Sequence, residues 1–159
     1  MRYADSVMTS AGLVQIERLT EASPGLFDAL VAESERAGHG FVRRLADEWA
    51  SGANRFERPG EALFAARMDG RLIGACGLNV DPYTPAPGVG RVRHLYVLAD
   101  YRRLGVGRRL IERVLDTARG RFERLRLSTQ NPAAAQLYER LGFERRIGAA
   151  DHTHLMEIR

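Results

Sequence analysis

Apolar residues recur along the chain at two periods, every second position and every third or fourth, and the switches between them mark out the elements. Residues 13–19 alternate well enough to predict a first strand. Ser23-Pro24 then reads as a helix N-cap with proline at the first helical position. Phe27, Leu30, Val31 and Ser34 continue at helical spacing to a stop at Gly38. Phe41, Leu45 and Trp49 predict a second, short helix ending near Gly52, and residues 53–60 read as loop. Two apolar runs, 62–68 and 71–78, are joined by Asp69-Gly70, a pair that favours the tight turn of a β-hairpin. Residues 81–90 carry three prolines and two glycines and read as loop, and 91–98 as a strand. From Gly105 a helix is predicted to about Arg119, burying Val106, Leu110, Val114, Leu115 and Ala118 and stopping at Gly120. A strand over 125–128, a helix over 133–141 with Gly142 at its end and a last strand over 153–158 complete the pattern. The order β-α-α-β-β-β-α-β-α-β predicts a mixed α/β fold, a sheet covered by helices.

A chain of 159 residues buries roughly 70% of the surface it exposes when unfolded, enough for one core without disulfides or metals. Residues 1–12, small and polar and unlike a signal peptide, are expected to form a flexible tail ahead of a single domain over 13–159. No apolar run is long enough to span a membrane. Cys76 is the only cysteine, which excludes an internal disulfide or a cysteine-based metal cluster and suits the reducing cytoplasm. The formal charge is +4, and all 24 basic residues are arginine, whose planar fork grips phosphate and carboxylate. These arginines form neither a dense block nor an aromatic-interleaved platform, so nucleic acid is not an expected partner.

The chemistry concentrates in the segment from Arg93 to Arg109. There a strand enters a glycine-containing turn that opens directly into an amphipathic helix. Such a helix start presents unpaired N–H groups and about half a positive charge, and Gly105 and Gly107 let a phosphate approach the backbone. Arg102, Arg103, Arg108 and Arg109 add charge at its rim. Two other phosphate binders fail: there is no P-loop lysine, and the third glycine of a dinucleotide fingerprint is replaced by Leu110. His152 and His154 share one face of the predicted last strand, but no third metal ligand accompanies them, so no metal is expected and packing roles are. Cys76 and Trp49 read as core residues.

Leu95-Tyr96-Val97 followed by Arg102-Arg103-Leu104-Gly105-Val106-Gly107 resembles the signature of the general N-acetyltransferase (GNAT) superfamily, a strand leading into Arg/Gln-x-x-Gly-x-Gly/Ala. Residues 125–143 are similar to its second motif, a strand, Asn131, then a helix carrying Tyr138 ahead of Leu141-Gly142-Phe143. The resemblance implies a mixed, mainly antiparallel sheet of about seven strands, splayed at a cofactor cleft, with about four helices packed on both faces. It implies acetyl-CoA as co-substrate. Backbone groups of Leu95, Tyr96 and Val97 would pair with the pantetheine arm and acetyl carbonyl as one more strand. The turn from Arg102 through Arg103, Leu104, Gly105, Val106, Gly107 and Arg108 would hold the pyrophosphate. Asn131 would bind the pantetheine side, and Tyr138 would stand near the sulfur and protonate the departing thiolate. The seven-residue spacing of Asn131 and Tyr138, about two helical turns, lets both face the cofactor.

What the residues do not supply is a base. A lysine-like amine is about one part in a few thousand neutral at pH 7, and a positioned base commonly contributes about 10²–10⁴ in rate. Similar proteins often carry glutamate or histidine near position 91 or 93, where this chain has Arg91 and Arg93. Strand alternation turns His94 to the other face unless a bulge intervenes, and a chain of waters is the alternative. If Arg91 or Arg93 faces the acceptor, a carboxylate-bearing acceptor is favoured over a polyamine. Glu33, Glu35 and His39 are acceptor-site candidates on what otherwise reads as a solvated helix face. The expected function is therefore an N-acetyltransferase acting on a primary amine of a small molecule or peptide, with a homodimer allowed by the resemblance. The alternative is a non-catalytic acetyl-CoA-binding sensor or regulatory module.

Overall fold

The computed structural model describes residues 6–9 and 12–159, with side chains from residue 13 onward. Along the chain run β1 (Ser6–Thr9), β2 (Gly12–Arg18), α1 (Asp28–Arg36), α2 (Phe41–Ser51), β3 (Ala62–Met68), β4 (Arg71–Val80) and β5 (Val89–Val97). A short 3-10 turn at Ala99–Tyr101 leads to α3 (Val106–Ala118), β6 (Arg124–Leu127), α4 (Pro132–Arg140), β7 (Glu144–Arg145) and β8 (His154–Glu157). The strands form one sheet in the order β1-β2-β3-β4-β5-β6-β8-β7. Every pairing is antiparallel except β5 with β6. This is the mixed, mainly antiparallel architecture expected, with four α-helices and with β1 in addition to the seven strands.

Residues 1–5, 10 and 11 of the expected tail lie outside the described residues, whereas Ser6–Thr9 is a strand rather than a tail. The segment adds to the edge of β2 as an antiparallel strand, with Ser6 opposite Gln15 and Thr9 opposite Gly12. The first helix also starts later than Ser23-Pro24 predicts. Gly25 adopts φ +80, so the chain turns there, with Leu26 N–H bonded to the Ser23 carbonyl, and the helix begins only at Asp28. The hairpin is as expected: Asp69 and Gly70 take φ +52 and +77, the pair of left-handed residues that a two-residue turn between twisted strands needs.

Gly74 and Gly77, three residues apart on β4, show what covers each face. A Cβ on Gly74 would meet Leu110 of α3, and one on Gly77 would meet the Phe56 ring at 2.6 Å. Phe56 stacks on Trp49 of α2, so α1 and α2 lie on the opposite face from α3. Val106, Leu110, Ile111, Val114, Leu115 and Ala118 bury the inner stripe of α3.

Two irregularities in β5 shape the site. The register passes from Ala75 opposite Tyr96 to Gly77 opposite Arg93, so Cys76 faces both His94 and Leu95 in a β-bulge. His94 carries φ +63 there. Pairing of β5 with β6 covers only Val89, Gly90 and Arg91, opposite Arg124, Leu125 and Arg126. Beyond that point β6 follows β8, and the edge of β5 from Val92 to Val97 is left open.

Candidate active site

The open edge of β5 has its backbone turned outward. Leu98 N–H bonds to the Ile73 carbonyl, so by the antiparallel alternation the N–H and C=O of Val97 point away from β4 into the gap. Arg102 folds back over this edge, its Nε donating to the Val97 carbonyl at 2.8 Å. After Arg102 the chain takes left-handed conformations at Arg103 (φ +64) and Gly105 (φ +81), then enters α3. No side chain caps α3 at Gly105, so its first N–H groups remain available to a ligand. A Cβ on Gly105 would meet nothing within 4 Å, and the space above it is open. An extended amide arm lying along β5 with a pyrophosphate at α3 fits these groups. Gly105→Val is expected to raise the Kd for coenzyme A at least tenfold, because a β-branched residue resists the left-handed turn and obstructs the phosphate. Titration calorimetry on the folded variant measures this, and an unchanged Kd would remove the turn from the site.

Glu33 of α1 is built into this turn. Its carboxylate accepts from the Tyr96 hydroxyl at 2.6 Å and the Ala99 N–H at 3.0 Å, and lies 3.7 Å from the Arg102 guanidinium, which sits over the Tyr96 ring. Burial, reinforced by the neighbouring carboxylate, pushes the Tyr96 phenol up to about 12. Glu33 is therefore not part of a solvated helix face. Glu35 is, pairing with Arg43 in the open. His39 packs half-buried against the Phe41 ring.

Tyr138 and Asn131, at opposite ends of α4, occupy different environments. Tyr138 is buried, its ring edge-on to Phe143 at 5.4 Å, and burial with the Cys76 thiol nearby raises its pKa well above that of an ordinary phenol. Cys76 is fully buried and is itself pushed up to about 12 by burial. Asn131 is exposed and caps α4, its Oδ1 accepting from the Ala133 and Ala134 N–H groups. Leu137, between them, packs over Gly107 at the start of α3.

Arg91 is committed within the fold. It donates to Asp81, Ser128 and the Asp151 carbonyl and sits over the Tyr83 ring. Asp81 also receives Arg126 Nε at 2.8 Å and the Tyr83 N–H. The expectation that Arg91 could face an acceptor is thus corrected: two strands and the β4–β5 and β7–β8 connections use it as a tie. Arg93 is only half-buried and bonds Asn79, which in turn pairs with Asn54. His94 meets the condition set by alternation, since the bulge brings it to the face of Phe41 and Phe56. Burial, then Arg93, pushes its ring down to about 3, so it is neutral at pH 7.

His152 and His154 do not converge. His154 Nε2 lies 2.8 Å from Glu139, and His152 Nδ1 lies 2.8 Å from Asp151. Trp49 is buried between Phe27 and Phe56 as a core anchor. Sequence reasoning missed Asp81 because it opens a proline-rich loop that looked solvated. Its signal was Arg91 within a largely apolar strand, a cation whose burial calls for a counter-ion.

Comparison with known proteins agrees with this geometry. Residues 24–143 match the model of the acetyltransferase (GNAT) family. Over 101 residues the chain is 37% identical to the N-alpha-acetyltransferase RimI of Mycobacterium tuberculosis, covering 62% of this chain and 63% of that protein. It is 38% identical over 86 residues to the camello protein of Xenopus tropicalis, covering 52% of this chain and 38% of that one. The matches therefore span less than two thirds of either relative's length. A solved structure from Exiguobacterium sp. 255-15 superimposes with a TM-score of 0.78 at 27% identity, covering 91% of this chain and 93% of its own. An N-acetyltransferase from Staphylococcus aureus Mu50 shares the fold, with a TM-score of 0.67 at 17% identity over 92% of this chain and 99% of its own. With three quarters of its length matched, a cleft open along one strand and a glycine turn at its mouth, the chain belongs to the acetyltransferase (GNAT) family.

Proposed function

We propose that this acetyltransferase moves the acetyl group of acetyl-CoA to a primary amine of a small molecule or peptide by direct attack on the thioester. The observation that carries the reading is the edge of β5 that no strand covers, its Val97 N–H turned outward and its Val97 carbonyl held by Arg102, running straight into the uncapped start of α3. In this arrangement Leu95, Tyr96 and Val97 hold the pantetheine arm as an added strand. The turn from Arg102 to Arg108 holds the pyrophosphate through backbone N–H groups, and Asn131, at the start of α4, contacts the pantetheine side. An N–H from the bulged stretch of β5, aimed at the thioester oxygen, stabilises the negative charge that develops there. Tyr138, which retains its proton at any working pH, serves the sulfur as it leaves. No step needs a metal. Among the described residues no helix is long and apolar enough to cross a membrane. The single buried thiol suits a cytoplasmic enzyme.

A continuous thiol-release assay with acetyl-CoA and a panel of amines tests the reading. Amine-dependent release of free coenzyme A is the expected result. If acetyl-CoA binds tightly but no amine, small or peptidic, is acetylated, the reading fails in favour of a sensing module, which the arginines at 91 and 93 would then explain.

A further inference from the structure

The helix that carries Tyr138 has a thin buried face. Of the nine residues of α4, Ala135 and Tyr138 are buried. The Tyr138 ring rests edge-on against Phe143, and among the described residues no hydrogen bond holds its hydroxyl. Where that hydroxyl lies is therefore set by where the helix lies. Polar ties at the two ends of α4 fix the helix, and both lead back to Thr153 and His154, where the chain enters β8.

His154 is 1% exposed and stands opposite Leu127 of β6 on one side and Arg145 of β7 on the other. Its Nε2 is 2.8 Å from Oε2 of Glu139, the residue after Tyr138. A carboxylate only accepts, so Nε2 carries a proton and donates it. This bond is the largest cause holding the Glu139 carboxyl below its usual range, and it is charge-assisted. Nδ1 of the same ring lies 2.9 Å from the Thr153 hydroxyl. That hydroxyl accepts from the Thr129 N–H at 3.0 Å, and Thr129 Oγ1 accepts from the Asn131 N–H at 3.2 Å. Asn131 in turn caps α4 through Oδ1. Each ring nitrogen thus serves one end of the helix. Thr153 is itself anchored, its N–H donating to the Leu127 carbonyl at 2.9 Å. Arg145 also reaches Glu139, at 3.4 Å, but both side chains are exposed, so this second tie is weak.

We propose that Thr153 and His154 brace α4 against the sheet, and that His154, through Glu139, is a positioning residue that aims the Tyr138 hydroxyl at the thioester sulfur. The proposal rests on the acetyl-transfer reading with Tyr138 as its acid. Glu139 and Tyr138 are neighbours about 100° apart around the helix, so a hold on Glu139 fixes the rotation of Tyr138 about the helix axis. A misplacement of about 1 Å caused by a group away from the chemistry costs up to about 10²-fold in rate. Loss of the bond frees that rotation, whereas a coenzyme held along β5 and at the start of α3 would stay in place.

The test is kinetic, on Glu139→Leu, Glu139→Gln and Arg145→Ala, with and without Tyr138→Phe. Residue 139 is exposed and leucine is a good helix former, so the fold is kept. Glu139→Leu should lower kcat about tenfold while the Kd for acetyl-CoA, measured by calorimetry, stays within about threefold. Glu139→Gln, whose amide oxygen still accepts from His154, should keep kcat within about threefold of wild type, and so should Arg145→Ala. Added to Tyr138→Phe, Glu139→Leu should cost nothing further, because the hydroxyl it positions is gone. An unchanged kcat in Glu139→Leu, an equal loss with and without the hydroxyl, or a loss in Arg145→Ala as large as in Glu139→Leu overturns the brace. An unchanged kcat in Tyr138→Phe overturns instead the acid role beneath it. Wild type that binds acetyl-CoA yet acetylates no amine overturns the acetyl-transfer reading itself.

Discussion

Replacing Asp81 with alanine is expected to lower stability by about 3–5 kcal/mol, the cost of leaving buried guanidinium groups without their carboxylate. For a domain of this length that corresponds to a fall in Tm of about 6–20 °C. Asp81 is fully buried and its Oδ2 serves Arg126 at 2.8 Å and Arg91 at 3.3 Å. Both arginines stay in place when it is removed, because Ser128, Asp151 and the Tyr83 ring still hold them. The contrast is Glu35→Gln, whose ion pair with Arg43 is exposed and screened by solvent, so its loss should leave stability almost unchanged. Denaturant titration of the two variants decides the matter, and similar small losses in both would mean that the cluster is not a tie. Acid sensitivity follows the same residue. Burial alone would raise the Asp81 pKa, but the Arg126 hydrogen bond, the Tyr83 N–H and Arg91 together hold it below the usual value. Its contribution is therefore complete above about pH 4 and is lost as pH falls through the lower, folded value. The Asp81→Ala protein should lack that part of the acid transition.

Tyr138→Phe is expected to reduce kcat about 10²-fold while the Kd for acetyl-CoA stays within about threefold. The departing sulfur is the thiolate of a thiol with pKa near 8.5, and Tyr138 sits well above an ordinary phenol. Full transfer of the proton is therefore uphill. On the proposed reading the hydroxyl would act by hydrogen-bonding the sulfur as charge develops, which puts the expected effect at the low end of general-acid contributions. For the same reason kcat of the wild type should show no loss of an acid up to about pH 10. The variant removes only one oxygen from a ring that packs on Phe143, so folding is preserved. A kcat unchanged in Tyr138→Phe would show that the thiolate leaves unaided.

Periodicity alone located the long elements, because α2, α3 and the β3–β4 hairpin each agree with their local propensities and end at glycines in left-handed conformations. It failed where one residue overruled a pattern. Gly25 stopped a helix that Ser23-Pro24 appeared to start, and four residues beside β2 paired with it although their composition suggested a tail. The glycine turn into α3 was legible because Gly105 and Gly107 stand at a strand-to-helix junction, a local feature. The Asp81 cluster was not, because its members lie 10 to 70 residues apart and only the closing of the sheet brings them together. The bulge at His94 was equally hidden: nothing in Arg93-His94-Leu95 announces an extra residue, and its cause lies in how Cys76 meets two residues across the ladder.

The break between β5 and β6 divides the sheet in another sense, by order of synthesis. Strands β1 to β5 are each paired with the next in sequence, so this half can assemble as the chain leaves the ribosome, each strand meeting a partner already made. Strands β6, β8 and β7 come last and reach β5 through three residues only. The wedge proposed to admit a coenzyme is thus also the seam where the late half of the protein is added to the early one.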